Sequence, residues 1–488
     1  MGKRQHHVVC MAHPIQGHIK PMLILAKLLH SRYNFHVSFV NTEHNHRRFL
    51  KANGPAALAG VPSFRFYAIP DGLQQADNPD ASQPVSSIST VVNKTFPAPF
   101  RKLLSRIKIE EDVPPVSCIV SDAAESFVLQ VAAEIRVPVA LFWTSSACSF
   151  LGFAQYQKLV DEGITPLPDA SCLTNGYLDK VLDWIPSMKG ISLKHLPSFL
   201  RTQDIDDPMF NLFIQRINIL SNANCPIILN TFQLLDKEFI DELATTIIPS
   251  PILSIGPLSL LLDNHHGYAD ASYSIRSNLW KEDSHCIPWL DNKPSNSVIY
   301  VNFGSITVLT HDQLAHFAHG LLNSMKSFLW VVRPDLVEGE SSSGTLIRHL
   351  VDDSSHGRGM LASWCDQDRV LAHPAVGAFM THCGWNSTLE AIVAGKPVLC
   401  WPFFSDQMTN AWLCCEKLGI GAEIGFMSNG EVRSEEVERL VRIVMEDEEM
   451  RREVRKWKTL AHEATETRNS SSLLKLDELV NHLTSGTS

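Results

Sequence analysis

Residues 364–407 read WCDQDRVLAHPAVGAFMTHCGWNSTLEAIVAGKPVLCWPFFSDQ, and their order decides the fold. The apolar run 376–380 suits a strand buried on both faces of a parallel sheet. The polar cluster His382-Cys383-Gly384-Trp385-Asn386-Ser387 follows at once, and Leu389, Ile392 and Val393 then recur at helical spacing. Strand, Gly-containing turn and helix start together offer unpaired N–H groups and the positive end of a helix dipole. That is the geometry that holds a phosphate. A second apolar run, 397–401, leads to a loop ending in Asp406-Gln407, a carboxylate and an amide suited to sugar hydroxyls.

Working outward, the same alternation fills the second half of the chain. Residues 298–303 (VIYVNF) predict a strand, and Gly304-Ser305 follows it. Thr310 and Gln313 form a capping-box pattern ahead of a buried helix face at Leu314, Phe317, Ala318, Leu321 and Leu322. A strand is expected at 328–332 and a flexible loop at 338–344. The charged stretch 434–462 reads as one surface helix, and a last amphipathic helix is expected at 473–483.

The first half repeats the scheme. Strands are expected at 8–12, 35–40, 64–69, 116–121, 139–143 and 227–230, with a helix after the first strand carrying Pro21 in its first turn. The first loop has a single glycine and lacks G-x-G-x-x-G, which speaks against a nicotinamide or flavin site. Residues 71–89 and 161–207 read as long irregular stretches, the second with Trp184, Phe199 and Phe210 interspersed. Loops of that length are functional or mobile in compact domains. Two successive α/β halves, each with its loops at the carboxyl ends of parallel strands, imply a cleft between them.

Composition narrows the function classes. The chain has 488 residues, with 42 basic and 52 acidic side chains and a net charge of −10. That balance argues against nucleic acid or an anionic membrane as the main partner. Eleven cysteines without a C-x-x-C pair fit neither a disulfide framework nor a zinc site, and free thiols in a reducing cytosol are expected. Residues 8–12 are too short an apolar run for a signal peptide, and no run approaches a membrane span. A cytoplasmic monomer is the expectation.

The stretch at 364–407 resembles the signature of plant secondary-product glycosyltransferases, the UDP-sugar-dependent glycosyltransferase family 1. Trp364, Gln367, Leu371, His373, Pro374, the block HCGWNS, Glu390, Gly395, Pro397, Pro402, Asp406 and Gln407 match it in type and spacing. Asp366 departs from it, since the family most often has Pro there. GHIKPML, IPDGL, CIVSDA, FWTSSAC and YVNFGS carry the resemblance over nearly the whole chain. They are similar to a branch acting on cyanohydrins, iridoid and diterpenoid alcohols, and cytokinins. The resemblance implies the GT-B fold: an acceptor domain over 1–256, a linker and UDP-sugar domain over 257–466, and a terminal helix over 467–488 crossing back to the first domain. It also implies UDP-glucose as co-substrate, no cofactor, and a small apolar acceptor of terpenoid, cyanohydrin or phenolic type.

Each candidate residue has a plainer alternative. By the resemblance His18 is the base, though it could merely cap the helix after the first strand. Asp122 would orient the His18 ring, or it could be the N-cap of the next helix. His13 is the nearby rival and is expected to be structural. For the donor, Trp364 would stack on uracil, with Cys365 and Gln367 completing that end. Glu390 would accept from ribose hydroxyls, or it could close a capping box with Ser387. His382, Asn386, Ser387, the Gly384 backbone and Ser305 would surround the diphosphate. Trp385, Asp406, Gln407 and Thr144 would reach the sugar. Trp143, Phe199 and Phe403 are candidates for the acceptor wall. No metal is expected: the D-x-D strings at 204–206 and 366–368 do not end a buried strand, and they read as surface carboxylates. The rival functions are a sugar-nucleotide epimerase or hydrolase of the same fold, and a non-catalytic UDP-sugar binder lacking the His–Asp pair.

Overall fold

The computed structural model describes residues 5–73, 82–265, 271–336, 357–425 and 432–485. The loop expected at 338–344 lies outside the described residues. The chain forms two compact units. The first comprises Met1–Gln157, Asp206–Trp280 and His462–Ser488, and the second Lys158–Ile205 and Lys281–Ala461. The division is not a single cut: 158–205 packs with the second unit, while 257–280 stays with the first.

The first unit is built on strands β1 (His7–Met11), β2 (His36–Thr42), β3 (Phe64–Ile69), β4 (Cys118–Asp122), β5 (Val139–Trp143), β6 (Ile227–Leu229) and β7 (Ile252–Ser254). They form one sheet in the order β3-β2-β1-β4-β5-β6-β7, and all of its pairs are parallel. Because successive side chains alternate faces, each strand feeds two cores. Val8, Cys10, Val37 and Phe39 pack with Met22, Leu25 and Leu29 of the helix Gln16–Tyr33. Leu473, Leu476, Leu479 and Leu483 of the last helix, Ser471–Thr484, join that same core. On the other face Val9, Met11 and Val40 pack with Ile88, Val92, Phe100 and Val128 from three further helices.

The second unit carries β8 (Val298–Asn302), β9 (Ser327–Val331), β10 (Gly359–Ala362), β11 (Val376–Thr381), β12 (Val398–Cys400) and β13 (Gly421–Glu423). Their order is β10-β9-β8-β11-β12-β13, again with all pairs parallel. Ile299, Val301, Trp330 and Met380 meet Leu314, Phe317 and Leu321 of the helix His311–Asn323. That helix begins with the expected Thr310–Gln313 capping box. In both sheets the chain reverses its direction of winding at the pairs β1·β4 and β8·β11. Loops leaving the carboxyl ends of two such neighbouring strands diverge, and ligands bind there.

Several local expectations need correction. The first helix begins at Gln16, so Pro21 lies in its second turn and His18 in its first. The helix Val85–Thr95 occupies part of the stretch read as irregular. The charged segment is two helices, Ser434–Glu446 and Glu448–Glu466. Asp447 breaks them with a non-helical ψ of 108°, and its Oδ1 accepts from the Met450 N–H.

Candidate active site

His18 is the third residue of its helix and Asp122 the last of β4, so both stand at the carboxyl edge of the neighbouring strands β1 and β4. His18 Nδ1 lies 2.7 Å from Asp122 Oδ2 and 2.9 Å from Thr144 Oγ1. An Nδ1–H donated to the carboxylate, with the threonine oxygen as second acceptor, leaves Nε2 to take a proton from elsewhere. The His18 side chain is 28% exposed, while Asp122 is buried. Burial alone would raise the Asp122 carboxyl. The His18 charge and hydrogen bond, with the Ala124 N–H on Oδ1 at 2.9 Å, instead hold it below the usual carboxylate range. Asp122 does not cap the next helix, which begins at Phe127 after Ser126. Thr144, expected near the sugar, has its hydroxyl on His18.

Behind this pair lies a second one. His13 Nδ1 is 2.7 Å from Glu125 Oε1, and its Nε2 is 3.2 Å from Ser89 Oγ. His13 and Glu125 are both buried. Burial, and then the neighbouring His18, push His13 well below the ordinary histidine range. Burial, and then Asp122, push Glu125 well above the carboxylate range. Both groups are thereby held in their neutral forms. Sequence reasoning passed over Glu125, three residues beyond Asp122 in a turn with no motif of its own.

In the second unit the helix Trp385–Ala394 starts at Gly384, so its first N–H groups have no side-chain cap from that residue. The His382 ring lies between two glycines. A Cβ at Gly304, whose φ is +76°, would sit 2.4 Å from His382 Nε2, and one at Gly384 would sit 2.6 Å from it. Desolvation, then the Arg333 charge, lower His382 to about 4, so the ring is neutral. Arg333 is buried and was not singled out from sequence. Its guanidinium bonds to the carbonyls of Gly304 and Thr307 and to Asp335 Oδ1, fixing the loop that carries Ser305. Its position directly after the apolar run 328–332 was the available signal.

Gln367 ties the ribose-end candidates together. Its Nε2 donates to Glu390 Oε2 at 2.7 Å and Ser387 Oγ at 3.0 Å. Its Oε1 accepts from Tyr300 OH at 3.0 Å and Asn302 Nδ2 at 2.8 Å. Ser387 and Glu390 therefore meet through Gln367, and the helix is capped at Gly384 instead of by a box between them. Tyr300 OH also lies 3.2 Å from Cys365 Sγ, and the Trp364 carbonyl accepts from the Asp283 N–H. Asp366 caps the helix Gln367–Ala372 through the Arg369 N–H, which gives a local role to the residue standing where proline is usual. Asp406 Oδ2 accepts from Asn410 Nδ2, which also reaches the Cys383 carbonyl. Gln407 Oε1 accepts from the Phe403 and Phe404 N–H groups, so the carbonyl end of this side chain closes its own loop. Trp385 is buried, and Ser305 and Asn386 are partly buried.

Trp143, at the end of β5, stacks on Phe150 with ring centroids 4.2 Å apart. Phe199 and Phe403 belong to the second unit, where each meets Phe404 edge-on. Segment 158–205 is held there by bonds from Ser405 N–H to Ser198 Oγ and from Thr409 Oγ1 to the His195 carbonyl. All eleven cysteines are free. Among the described residues, no three His, Cys, Asp or Glu side chains converge as a metal site, and no helix is long and apolar enough to cross a membrane.

Two parallel α/β units, one carrying a His–Asp pair and the other a glycine-flanked helix start, define a GT-B glycosyltransferase. Comparison with known proteins agrees. The family model described as UDP-glucoronosyl and UDP-glucosyl transferase matches residues 282–466. A 7-deoxyloganetin glucosyltransferase of Gardenia jasminoides is 50% identical over 487 residues, covering 99% of this chain and 98% of its own. An (R)-mandelonitrile beta-glucosyltransferase of Prunus dulcis is 47% identical over 474 residues, 96% of each chain. Among solved structures, Os79 from O. sativa in complex with UDP superposes with a TM-score of 0.79 at 26% identity, covering 97% of this chain and 100% of that one. The chain belongs to the UDP-glycosyltransferase family. It is an enzyme of hexosyl transfer, and the epimerase, hydrolase and non-catalytic readings fall away.

Proposed function

We propose that the chain moves glucose from UDP-glucose to a hydroxyl of a small apolar metabolite with inversion at the anomeric carbon, giving a β-glucoside and UDP. The observation that carries this reading is the 2.7 Å bond from His18 Nδ1 to Asp122, which leaves Nε2 as the base. Nε2 takes the acceptor proton as its oxygen attacks, and Asp122 stabilises the imidazolium that forms. Thr144 steadies the same ring. On the donor side, the first N–H groups of the helix Trp385–Ala394, with Ser305, Asn386, Ser387 and the neutral His382 ring, receive the diphosphate. Trp364 and the Cys365 backbone take the uracil, and Glu390, held by Gln367, accepts from the ribose. Trp385, Asp406 and the free amide end of Gln407 select glucose over its epimers. The iridoid and cyanohydrin relatives support an alcohol of terpenoid or cyanohydrin type as acceptor, with Trp143 in the apolar wall. The enzyme works as a cytoplasmic monomer without metal.

The test incubates the protein with UDP-glucose and a pooled panel of iridoids, cyanohydrins, diterpenoid alcohols and phenols, then seeks added hexose by mass spectrometry. The same assay is run with excess EDTA and with UDP-galactose. Glucosylation of an apolar alcohol that survives EDTA and exceeds galactosylation is the expected result. Loss of activity on chelation, or equal use of the two donors, would reject the corresponding part of the reading.

A further inference from the structure

The His13–Glu125 pair has no part in the mechanism above, yet it abuts the proposed base. The His13 ring lies edge-on to that of His18, with centroids 5.0 Å apart and planes at 65°. Both His13 nitrogens are engaged, Nδ1 by Glu125 and Nε2 by Ser89, so the ring cannot rotate without breaking a buried hydrogen bond. Glu125 is fixed to the catalytic carboxylate's own turn, since its N–H donates to the Asp122 carbonyl at 3.0 Å. The three anchors of this pair come from different elements: the loop after β1, the turn after β4, and the helix Val85–Thr95.

We propose that His13 and Glu125 are a mutually dependent positioning pair, a buried strut whose ring edge fixes the plane of His18 so that Nδ1 stays on Asp122 and Nε2 stays available to the acceptor. This rests on the reading of His18 as base. A polar strut costs desolvation and returns a fixed orientation only while both partners are present. Removing one partner leaves a buried polar group unpaired, and removing both leaves an apolar contact of similar shape. Neutral partners suit the place. An imidazolium at position 13 would oppose the positive charge that His18 gains during proton transfer.

The pattern expected of such a pair is non-additivity. Glu125→Leu orphans His13 Nδ1 and should lower kcat about tenfold, with KM for UDP-glucose unchanged. Glu125→Gln preserves a neutral hydrogen bond and should stay within about threefold of the parent enzyme. His13→Phe combined with Glu125→Leu keeps a ring edge against His18 and orphans only the Ser89 hydroxyl, whose 3.2 Å contact is the longer of the two made by His13, and it should recover most of the lost turnover. Independent of activity, long-range nitrogen–proton NMR of the His18 ring should report the Nδ1–H tautomer in the parent, Glu125→Gln and the double variant, and a mixture in Glu125→Leu. Equal losses in Glu125→Leu and Glu125→Gln would overturn the proposal. So would a double variant slower than Glu125→Leu, or a His18 tautomer that Glu125→Leu leaves unchanged. Failure of the base reading is separately visible, because His18→Ala would then keep its turnover while the tautomer measurement still judges the strut.

Discussion

An aliphatic hydroxyl does not ionise at neutral pH, so the residue that removes its proton sets the rate of transfer. His18→Ala is expected to reduce kcat on an alcohol acceptor by roughly 10²- to 10⁴-fold, with UDP affinity retained. Asp122→Ala should do similar or smaller harm, and the double variant little more than His18→Ala, since the pair acts as a unit. Steady-state kinetics beside calorimetric titration with UDP reads all three, and multiplicative losses would contradict the pairing. Asp122 was legible because it directly follows an apolar run, where a parallel sheet presents its ligand loops, and His18 only through the family resemblance, since it stands six residues beyond the first run. Glu125 and Arg333 were not, because their importance arises from burial by elements distant in sequence. A different residue-scale constraint governs His382. Gly304→Ala places a Cβ 2.4 Å from its Nε2 at a φ of +76°, a left-handed conformation that costs a side chain about 1–2 kcal/mol. The expected result is a rise in KM for UDP-glucose of at least about tenfold, with a lowered Tm. Parent-like values for both would show that the ring does not need the two glycines.

Among the elements, the last helix, Ser471–Thr484, was readable in advance because Leu473, Leu476, Leu479 and Leu483 recur at helical spacing. Its docking on the first unit was expected only from the family resemblance, since periodicity gives a face without naming the surface it covers. That face closes one core of the first unit, and the Ser472 hydroxyl donates to the Gly256 carbonyl. Leu479 is fully buried, so Leu479→Ala should destabilise by about 2–5 kcal/mol through lost burial and the cavity left behind. Urea denaturation followed by tryptophan fluorescence measures this, and the folded fraction should retain normal turnover. A cost under about 1 kcal/mol would mean the helix is docked loosely, against the burial seen. The strands β7 and β13 escaped the sequence for a different reason: three residues are too few to display any period, whereas the longer apolar run at 397–401 marked β12. Segment 158–205 gave no pattern because short 3₁₀ turns and side chain–backbone bonds, such as Ser198 with Ser405, hold it in place.

At the scale of the whole molecule, both units bury histidines in their neutral form, and this sets the acid limit of stability. In the first unit His7 Nδ1 faces the Pro114 carbonyl at 2.6 Å, so it carries the proton, and Nε2 accepts from Ser38 Oγ at 2.8 Å. A second proton would reverse the serine bond and, above all, place a charge inside a core that cannot hydrate it. Desolvation lowers His7 to about 4, and His36, edge-on to it at 4.6 Å, is likewise lowered by burial and then by His7 to about 4. His195 and His382 in the second unit are also lowered to about 4, each chiefly by desolvation. With an unfolded value near 6.5, the unfolded chain binds more protons than the fold between pH 6.5 and 4. Stability is therefore intact above that window and falls as pH descends through it. The loss is roughly 2 kcal/mol per fully buried ring at pH 5. Three carboxyls act in the opposite sense, because burial raises Asp236 to about 6, Glu423 to about 7 and Glu125 well above the carboxylate range, so the fold gains from their protonation. The histidines outnumber them, and a net fall of a few kcal/mol between pH 7 and pH 5 is expected. The urea midpoint should drop across that interval, reversibly on return to neutrality. His36→Phe, which keeps a buried ring and removes the proton site, should flatten part of the slope. A midpoint constant from pH 7 to pH 5, or a slope untouched by His36→Phe, would show that the acid limit lies with other groups.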